Sequence, residues 1–349
     1  MALAWPIMML CIFTVIAVIM FLGAKTIITS HGEELTVGNL SALINYAIMA
    51  LMSMMMLSMV IVMLTMSVES ANRIKEVLVT ESSLKSPENG ITTVENGDIT
   101  FENVSFKYSE KAEKYALENI NLSIKSGETV GILGGTGSSK SSLVQLIPRL
   151  YDVSEGRLLV GGKDVRDYDL VALRDSVSMV LQKNVLFSGT IKENIRWGND
   201  AASDAEIKRV CRLACADEFI ESFPDGYDTH IEQGGTNVSG GQKQRLCIAR
   251  ALIKKPKILI LDDSTSAVDT KTDALIRKAF REEIPDTTKI IIAQRVASVE
   301  DADKIIVMEG GRIAAIGTHE ELMQTSEEYR SVYESQTRHS DNEEGGDAQ

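Results

Sequence analysis

Two membrane-spanning helices followed by an α/β phosphate-loop domain is the fold class that this sequence predicts. Three observations carry it. Two long apolar stretches near the N-terminus hold no charge, the chain from residue 99 alternates short apolar runs with helical stretches, and Gly131 to Leu143 reads GILGGTGSSKSSL. Met1 to Ala24 and Thr36 to Val68 contain no charged side chain, and each is longer than the roughly 20 apolar residues that cross a bilayer. A secretory signal is the rival for the first stretch, but no basic n-region precedes it and no small-residue cleavage site closes it. A buried core hairpin is the other rival. The helices are placed at about 3–28 and 37–68, with the lipid bilayer as their partner.

Lys25, His31, Glu33 and Glu34 lie between the two stretches, whereas Arg73 and Lys75 follow the second. The excess of basic residues on that side predicts a cytoplasmic C-terminal part, hence a multi-pass protein of the cell (plasma or inner) membrane. Eight methionines between Met49 and Met66 read as lipid-facing and helix-packing bulk, against an adaptable surface for apolar ligands. The apolar period continues through Ile74, Val77 and Leu78. The second helix therefore runs on as a cytoplasmic linker helix, and a partial membrane domain is assigned to 1–80. Residues 81–98, polar and holding Pro87, Asn89 and Gly90, are the linker that marks the domain boundary.

A chain of 349 residues has room for these two parts, and its net charge of −13 disfavours a nucleic-acid partner, which would require a basic face. Residues 339–349 form an acidic stretch read as a disordered tail. Cys11, Cys211, Cys215 and Cys247 show no metal-ligand spacing with histidine and are read as reduced and intracellular. The domain assigned to 99–338 has strand-like runs at Ile99 to Tyr108, Ile120 to Ile124, Thr129 to Leu133, Ser178 to Leu181, Ile258 to Leu261, Lys289 to Ala293 and Lys304 to Met308. Helical stretches at Ser203 to Ala216 and Gly240 to Ile253 fall between them. Such alternation implies a largely parallel sheet with phosphate chemistry at the strand C-terminal ends.

Val130 to Leu133 reads as a buried strand that enters a glycine-rich turn, after which Lys140, Ser141 and Ser142 open a helix. In such a loop Gly134, Gly135, Thr136, Gly137 and Ser138 let backbone N–H groups close on phosphates. Lys140 reaches the β/γ oxygens and the Ser141 hydroxyl holds Mg²⁺. The spacing is imperfect, because Ser139 stands where a second glycine belongs; alone, it reads equally as a strand-turn-helix without a ligand. Ile258 to Asp262 is an apolar strand ending in a carboxylate suited to a metal, or a buried strand and turn. Asp263 follows it, where a general base for the attacking water would sit. Ser239, Gly240, Gly241 and Gln242 open a helix whose capping serine and positive dipole end make a second anion site, with a plain capped helix as the rival.

Together these motifs resemble an ATP-binding cassette (ABC) exporter half, densely over Ile99 to about Arg338 and more loosely over the two spans. The resemblance implies an ABC nucleotide-binding domain that uses ATP and Mg²⁺. Gly134 to Ser141 is similar to the Walker A loop, Ile258 to Asp263 to the Walker B strand, and Ser239 to Gln242 to the signature. Gln182 resembles the Q-loop residue that touches Mg²⁺, Ser266 to Asp269 the D-loop, and Tyr108 the aromatic that stacks on adenine, with Tyr115 the weaker choice on spacing. Catalysis is then expected from Asp263 and Gln294. ATP is expected at Tyr108, 134–142 and Gln182, the metal at Ser141, Gln182 and Asp262, trans contacts to ATP at Ser239 to Gln242, and the D-loop residue at Asp269.

Three departures fall on one nucleotide site: Ser139, Asp263 where the family has glutamate, and Gln294 where it has the switch histidine. A base one methylene shorter and a neutral amide both weaken hydrolysis, whereas the signature is intact. The expectation is the degenerate half of a heterodimer, paired with a different chain that keeps the glutamate and histidine. The alternatives are a competent homodimer and a nucleotide-binding regulatory module that does not transport. Exporter halves of the family have six spans, so the two here resemble the last two of a longer or truncated membrane domain. The exported substrate leaves no mark in this sequence.

Overall fold

The computed structural model describes residues 4–263 and 268–344, and the chain divides into two compact units, Met1–Ser83 and Leu84–Gln349. The first unit is a helical pair, α1 (Ala4–Thr29) and α2 (Val37–Val79). Both helices are long and apolar enough to cross a membrane. The Thr36 hydroxyl accepts from the Asn39 N–H and caps α2. Gly23 allows the pair to close, because a Cβ there would lie 2.3 Å from Leu40 Cδ1. The apolar side chains point outward: Leu10, Phe21 and Met56 are 69%, 72% and 72% exposed, a surface suited to lipid. No residue of α2 is buried, and the helix runs unbroken past Val68, where the uncharged stretch ends, to Val79.

The second unit begins with β1 (Ile99–Phe106), β2 (Leu117–Ile124), β3 (Thr129–Leu133), α3 (Lys140–Leu146), β4 (Glu155–Val160), β5 (Lys163–Asp164), α4 (Leu170–Ser176) and β6 (Val177–Val180). It continues through β7 (Gly189–Thr190), α5 (Ile191–Arg196), α6 (Asp204–Leu213), α7 (Asp217–Ser222), β8 (His230–Ile231), α8 (Gly240–Leu252) and β9 (Ile258–Asp262). It closes with α9 (Thr270–Glu283), β10 (Thr288–Ile292), β11 (Lys304–Glu309), β12 (Arg312–Gly317), α10 (His319–Thr325) and α11 (Glu327–Glu344). The stretch read as a disordered tail starts inside the last turns of α11, and residues 345–349 lie outside the described residues.

Among the described residues one sheet has the order β12-β11-β3-β10-β9-β6. Its strands are parallel except for β12, which pairs antiparallel with β11. Strand alternation sends successive side chains to opposite faces, so this sheet divides two cores. Ile258, Ile260, Ile290 and Ile292 pack on the face shared with α3 and the strands of the other sheet. Leu259, Leu261 and Ile291 pack on the face shared with α5, α6, α8 and α9. A strand covered on both faces reads as a continuous apolar run, which is why Ile258 to Leu261 stands out in the sequence.

The sequence reading folded all the apolar runs into one sheet. The structure instead separates β1 and β2 into an antiparallel sheet of order β2-β1-β4-β5, whose β4 was not anticipated. β2 shows the half-buried alternation of a sheet with one covered face, and β4 begins with exposed Glu155, Gly156 and Arg157. Only Leu158 and Val160 of β4 reach the core, too few to make a periodic signal. In the parallel sheet Ile292 lies beside both Ile132 and Asp262, and Val180 lies beside Leu261. The loops that leave β3, β6, β9 and β10 therefore emerge along one edge.

Candidate functional site

The loop after β3 turns sharply at Gly134, whose φ is +152° and where a Cβ would lie 2.3 Å from the Met308 carbonyl oxygen. Only glycine tolerates both conditions. The turn ends at Ser139, a non-glycine residue in the left-handed region (φ 68°, ψ 24°) that precedes α3 without a side-chain cap. This is the position at which the sequence lacks the expected glycine. Lys140 curls back so that its Nζ donates to the carbonyl oxygens of Gly134 (2.8 Å) and Gly135 (2.9 Å) and to Ser138 Oγ (3.3 Å). Burial lowers the pKa of this ammonium, and the charges of Asp262 and Asp263 act the other way.

Beside the lysine, Ser141 Oγ donates to Asp262 Oδ1 at 3.2 Å. Asp262 is buried at the end of β9. Burial raises the pKa of its carboxyl; the Ser141 hydrogen bond and Lys140 oppose that rise, and Asp263 adds to it. Asp263 is also buried, in left-handed backbone (φ 49°), and its N–H donates to the Ile292 carbonyl at 3.0 Å. Its Oδ2 accepts from two amides that come from different strand ends, Gln182 Nε2 at 3.0 Å and Gln294 Nε2 at 2.6 Å.

A cavity of about 530 Å³ joins these groups; Gly134, Gly135, Thr136, Gly137, Lys140, Ser141, Gln182, Asp262, Asp263 and Gln294 line it. It offers carboxylate and hydroxyl oxygens, a cation and a glycine-rich loop on one concave surface, a donor set suited to a phosphate and a hard divalent cation. Ser138, Ser139 and Ser142 do not line it. Tyr108 does not line it either: its hydroxyl bonds Ser142 Oγ at 2.7 Å. Its ring, 55% exposed, meets Phe106 and Tyr151 edge-on at centroid distances of 4.8 and 5.2 Å. Tyr115 lies apart, donating to Glu155 under Lys107.

Ser239 to Gln242 forms a closed capping box at the start of α8. Ser239 Oγ accepts from the Gln242 N–H at 3.2 Å, and Gln242 Oε1 accepts from the Ser239 N–H at 2.9 Å. Ser239 and Gly240 are exposed and lie outside the cavity lining. Asp269 is exposed and caps α9 by accepting from the Thr272 N–H, which holds its carboxyl below the usual range. Ser266 and Ala267 of the same stretch lie outside the described residues.

Sequence reasoning missed the part of the cavity wall that α11 supplies. Glu328, Tyr329 and Val332 of α11 line the cavity there, and Gln336 of the same helix bonds the backbone on either side of Arg295. No motif marks these residues. Their helical spacing alone, at 328, 332 and 336, places three of them on one face.

The sequence profile of the ABC transporter family matches residues 117–266. The chain is 43% identical over 331 residues to "Uncharacterized ABC transporter ATP-binding protein YfiB" of Bacillus subtilis, a match covering 95% of this chain and 56% of that protein. It is 37% identical over 348 residues to "Uncharacterized ABC transporter ATP-binding protein Rv1273c" of Mycobacterium tuberculosis, covering 95% of this chain and 58% of that protein. The chain thus spans little more than half the length of these curated relatives. Among solved structures, that of a bacterial Atm1-family ABC exporter with ATP bound superposes with a TM-score of 0.75 at 32% identity, covering 95% of this chain and 58% of that one.

Proposed function

Since the chain belongs to the ABC transporter family through the domain matched at residues 117–266, we propose that it is the ATP-binding subunit of a membrane exporter and the degenerate half of a heterodimer. ATP lies with its phosphates in the loop 134–141, where Lys140 exchanges its loop carbonyls for phosphate oxygens. Ser141 and Asp262, with Gln182 beside them, would hold Mg²⁺, which would supply positive charge against the phosphates. The adjacent hydroxyl and carboxylate oxygens, 3.2 Å apart, are the hard donors that such a cation would take. Tyr108, exposed and bonded to Ser142 of α3, would stack on the base once that bond is released.

Catalysis at this site would fall to Asp263. The observation that carries the degenerate reading is that both nearby amides, from Gln182 and Gln294, donate to the same Asp263 oxygen. An oxygen held by two donors is a poor acceptor for a proton from water, and Gln294 is a neutral amide in the position next to it. The Ser239 to Gln242 cap, exposed at Ser239 and Gly240, lies outside the cavity lining and serves the nucleotide of the partner half. That partner supplies a glutamate and a histidine at the equivalent positions, and hydrolysis there resets the pair. The helical unit lies in the bilayer of the cell membrane, and closure of the cassettes in the cytoplasm drives export of a substrate.

The test compares the full chain with an Asp263→Glu/Gln294→His variant for Mg-ATP affinity and turnover, at concentrations that let two copies pair. Tight binding with slow turnover, raised at least about tenfold in the variant, supports the reading. Brisk turnover by the unaltered chain would replace it with a competent homodimer. Binding without turnover in either protein would favour a regulatory module.

A further inference from the structure

The switch segment after β10 is held from outside the sheet. Gln336 Oε1 accepts from the Val296 N–H at 2.8 Å, and Gln336 Nε2 donates to the Gln294 carbonyl, also at 2.8 Å. One side-chain amide thus pairs with the backbone of residues two apart, as a neighbouring strand would, and fixes Arg295 between them in extended backbone (φ −99°, ψ 130°). Gln294 is the residue whose Nε2 reaches Asp263 Oδ2 at 2.6 Å. A continuous path of hydrogen bonds therefore runs from α11, through the Gln294 backbone and side chain, to Asp263 and Gln182.

The helix that carries Gln336 is itself anchored. Tyr329 is buried, and its hydroxyl meets His319 Nδ1 of α10 at 2.7 Å. The Tyr333 ring packs edge-on against the same imidazole at 5.2 Å. One turn before Gln336, Val332 lies on the cavity wall, and Glu328 lies one turn earlier. The face that lines the cavity is thus the face from which Gln336 reaches the switch.

We propose that Gln336 is a positioning residue for the reaction at Asp263: from the C-terminal helix it sets the backbone of the switch segment and so aims Gln294 at the carboxylate. The proposal rests on the reading of Asp263 and Gln294 as the hydrolytic station. It makes α11 part of the nucleotide site and not merely a terminal cover. A side chain without the amide leaves the Val296 N–H and Gln294 carbonyl without those partners, so the segment opens more often and Gln294 loses its fixed aim.

The experiment uses the full chain with Gln336→Leu, which keeps the bulk and removes both bonds, Gln336→Glu, which keeps the acceptor alone, and Ser331→Ala on the exposed side of the same helix. Amide hydrogen exchange over residues 290–299 is followed together with Mg-ATP affinity and turnover. Gln336→Leu is expected to speed exchange at Val296 about tenfold and to raise kcat about fivefold, because Asp263 Oδ2 then accepts from one amide fewer, with ATP affinity unchanged. Gln336→Glu should keep Val296 protected and give an intermediate kcat, and Ser331→Ala should match the unaltered chain. Unchanged exchange in Gln336→Leu overturns the clamp. Faster exchange with unchanged kcat leaves a structural contact and overturns the positioning role. Failure of every protein, the unaltered chain included, to bind ATP overturns the nucleotide reading itself, whereas the exchange result still decides the clamp.

Discussion

Ser139→Gly tests whether the phosphate loop is strained where it departs from the family pattern. Ser139 sits at φ 68° and ψ 24°, a conformation that costs a residue with a Cβ about 1–2 kcal/mol. Its side chain makes no capping hydrogen bond with α3, so removing it loses little. Glycine gains freedom in the unfolded chain worth about 0.5–1 kcal/mol. The difference leaves a net stabilisation of about 0.5–1 kcal/mol. That amounts to a melting temperature higher by about 1–4 °C for a unit of this size. If the loop conformation is the one that binds, ATP affinity rises about two- to fivefold. Thermal unfolding of the full chain and nucleotide titration read both. Ser139→Ala is the decisive comparison, because it removes the hydroxyl and keeps the Cβ. An alanine variant that gains as much as the glycine variant would refute the strain argument, and so would a glycine variant that changes neither quantity.

Two further outcomes follow from other parts of the molecule. Asp262→Asn should abolish Mg²⁺-dependent ATP binding and yet raise the melting temperature of the nucleotide-free chain by about 2 °C near neutral pH. Burial holds the Asp262 carboxyl above its ordinary pKa, so its contribution favours the fold below the unfolded value and is lost as pH rises through the folded value. The gap between variant and unaltered chain should therefore widen from acid toward neutral pH and then level off; a gap that narrows with pH would contradict the assignment. Gly131→Ala should destabilise the chain by about 2 kcal/mol, because the new Cβ would lie 2.5 Å from the Val299 Cβ at a fully buried position. Denaturation midpoints should show that adding Val299→Ala does not rescue it, since the obstructing atom is that Cβ itself.

Asp262 and Asp263 were legible in the sequence because they end a buried parallel strand, and Lys140 and Ser141 because they follow the glycine-rich turn after another, whereas Gln182 and Gln294 were reached through the resemblance to the family. A strand of that kind announces itself as an apolar run, and the polar residue that breaks the run lies at the sheet edge. The structure brings all six to one cavity. The wall contributed by Glu328, Tyr329 and Val332, and the Gln336 contact beside it, were not legible. Those residues have the spacing of any amphipathic helix, and the partner face is decided by tertiary packing. The Tyr108 hydroxyl bond to Ser142 is hidden for the same reason. It depends on how β1 and α3 approach across a shared core, and the local sequence of neither element encodes that approach. The antiparallel sheet escaped because β4 puts too few apolar residues into the core to register as a strand.

The length of α2 sets a mechanical limit on whatever the membrane does to this chain. Its 43 residues make a rod of about 64 Å, and the hydrocarbon layer is about 30 Å thick. Wherever the bilayer covers it, roughly half of the rod projects beyond the lipid, a stretch of about 34 Å. No proline or glycine interrupts the helix after Gly38, so it has none of the usual hinge residues to absorb a bend. It acts as a lever arm: a tilt of about 10° within the lipid would carry the far end through about 6 Å, a little more than one helical turn.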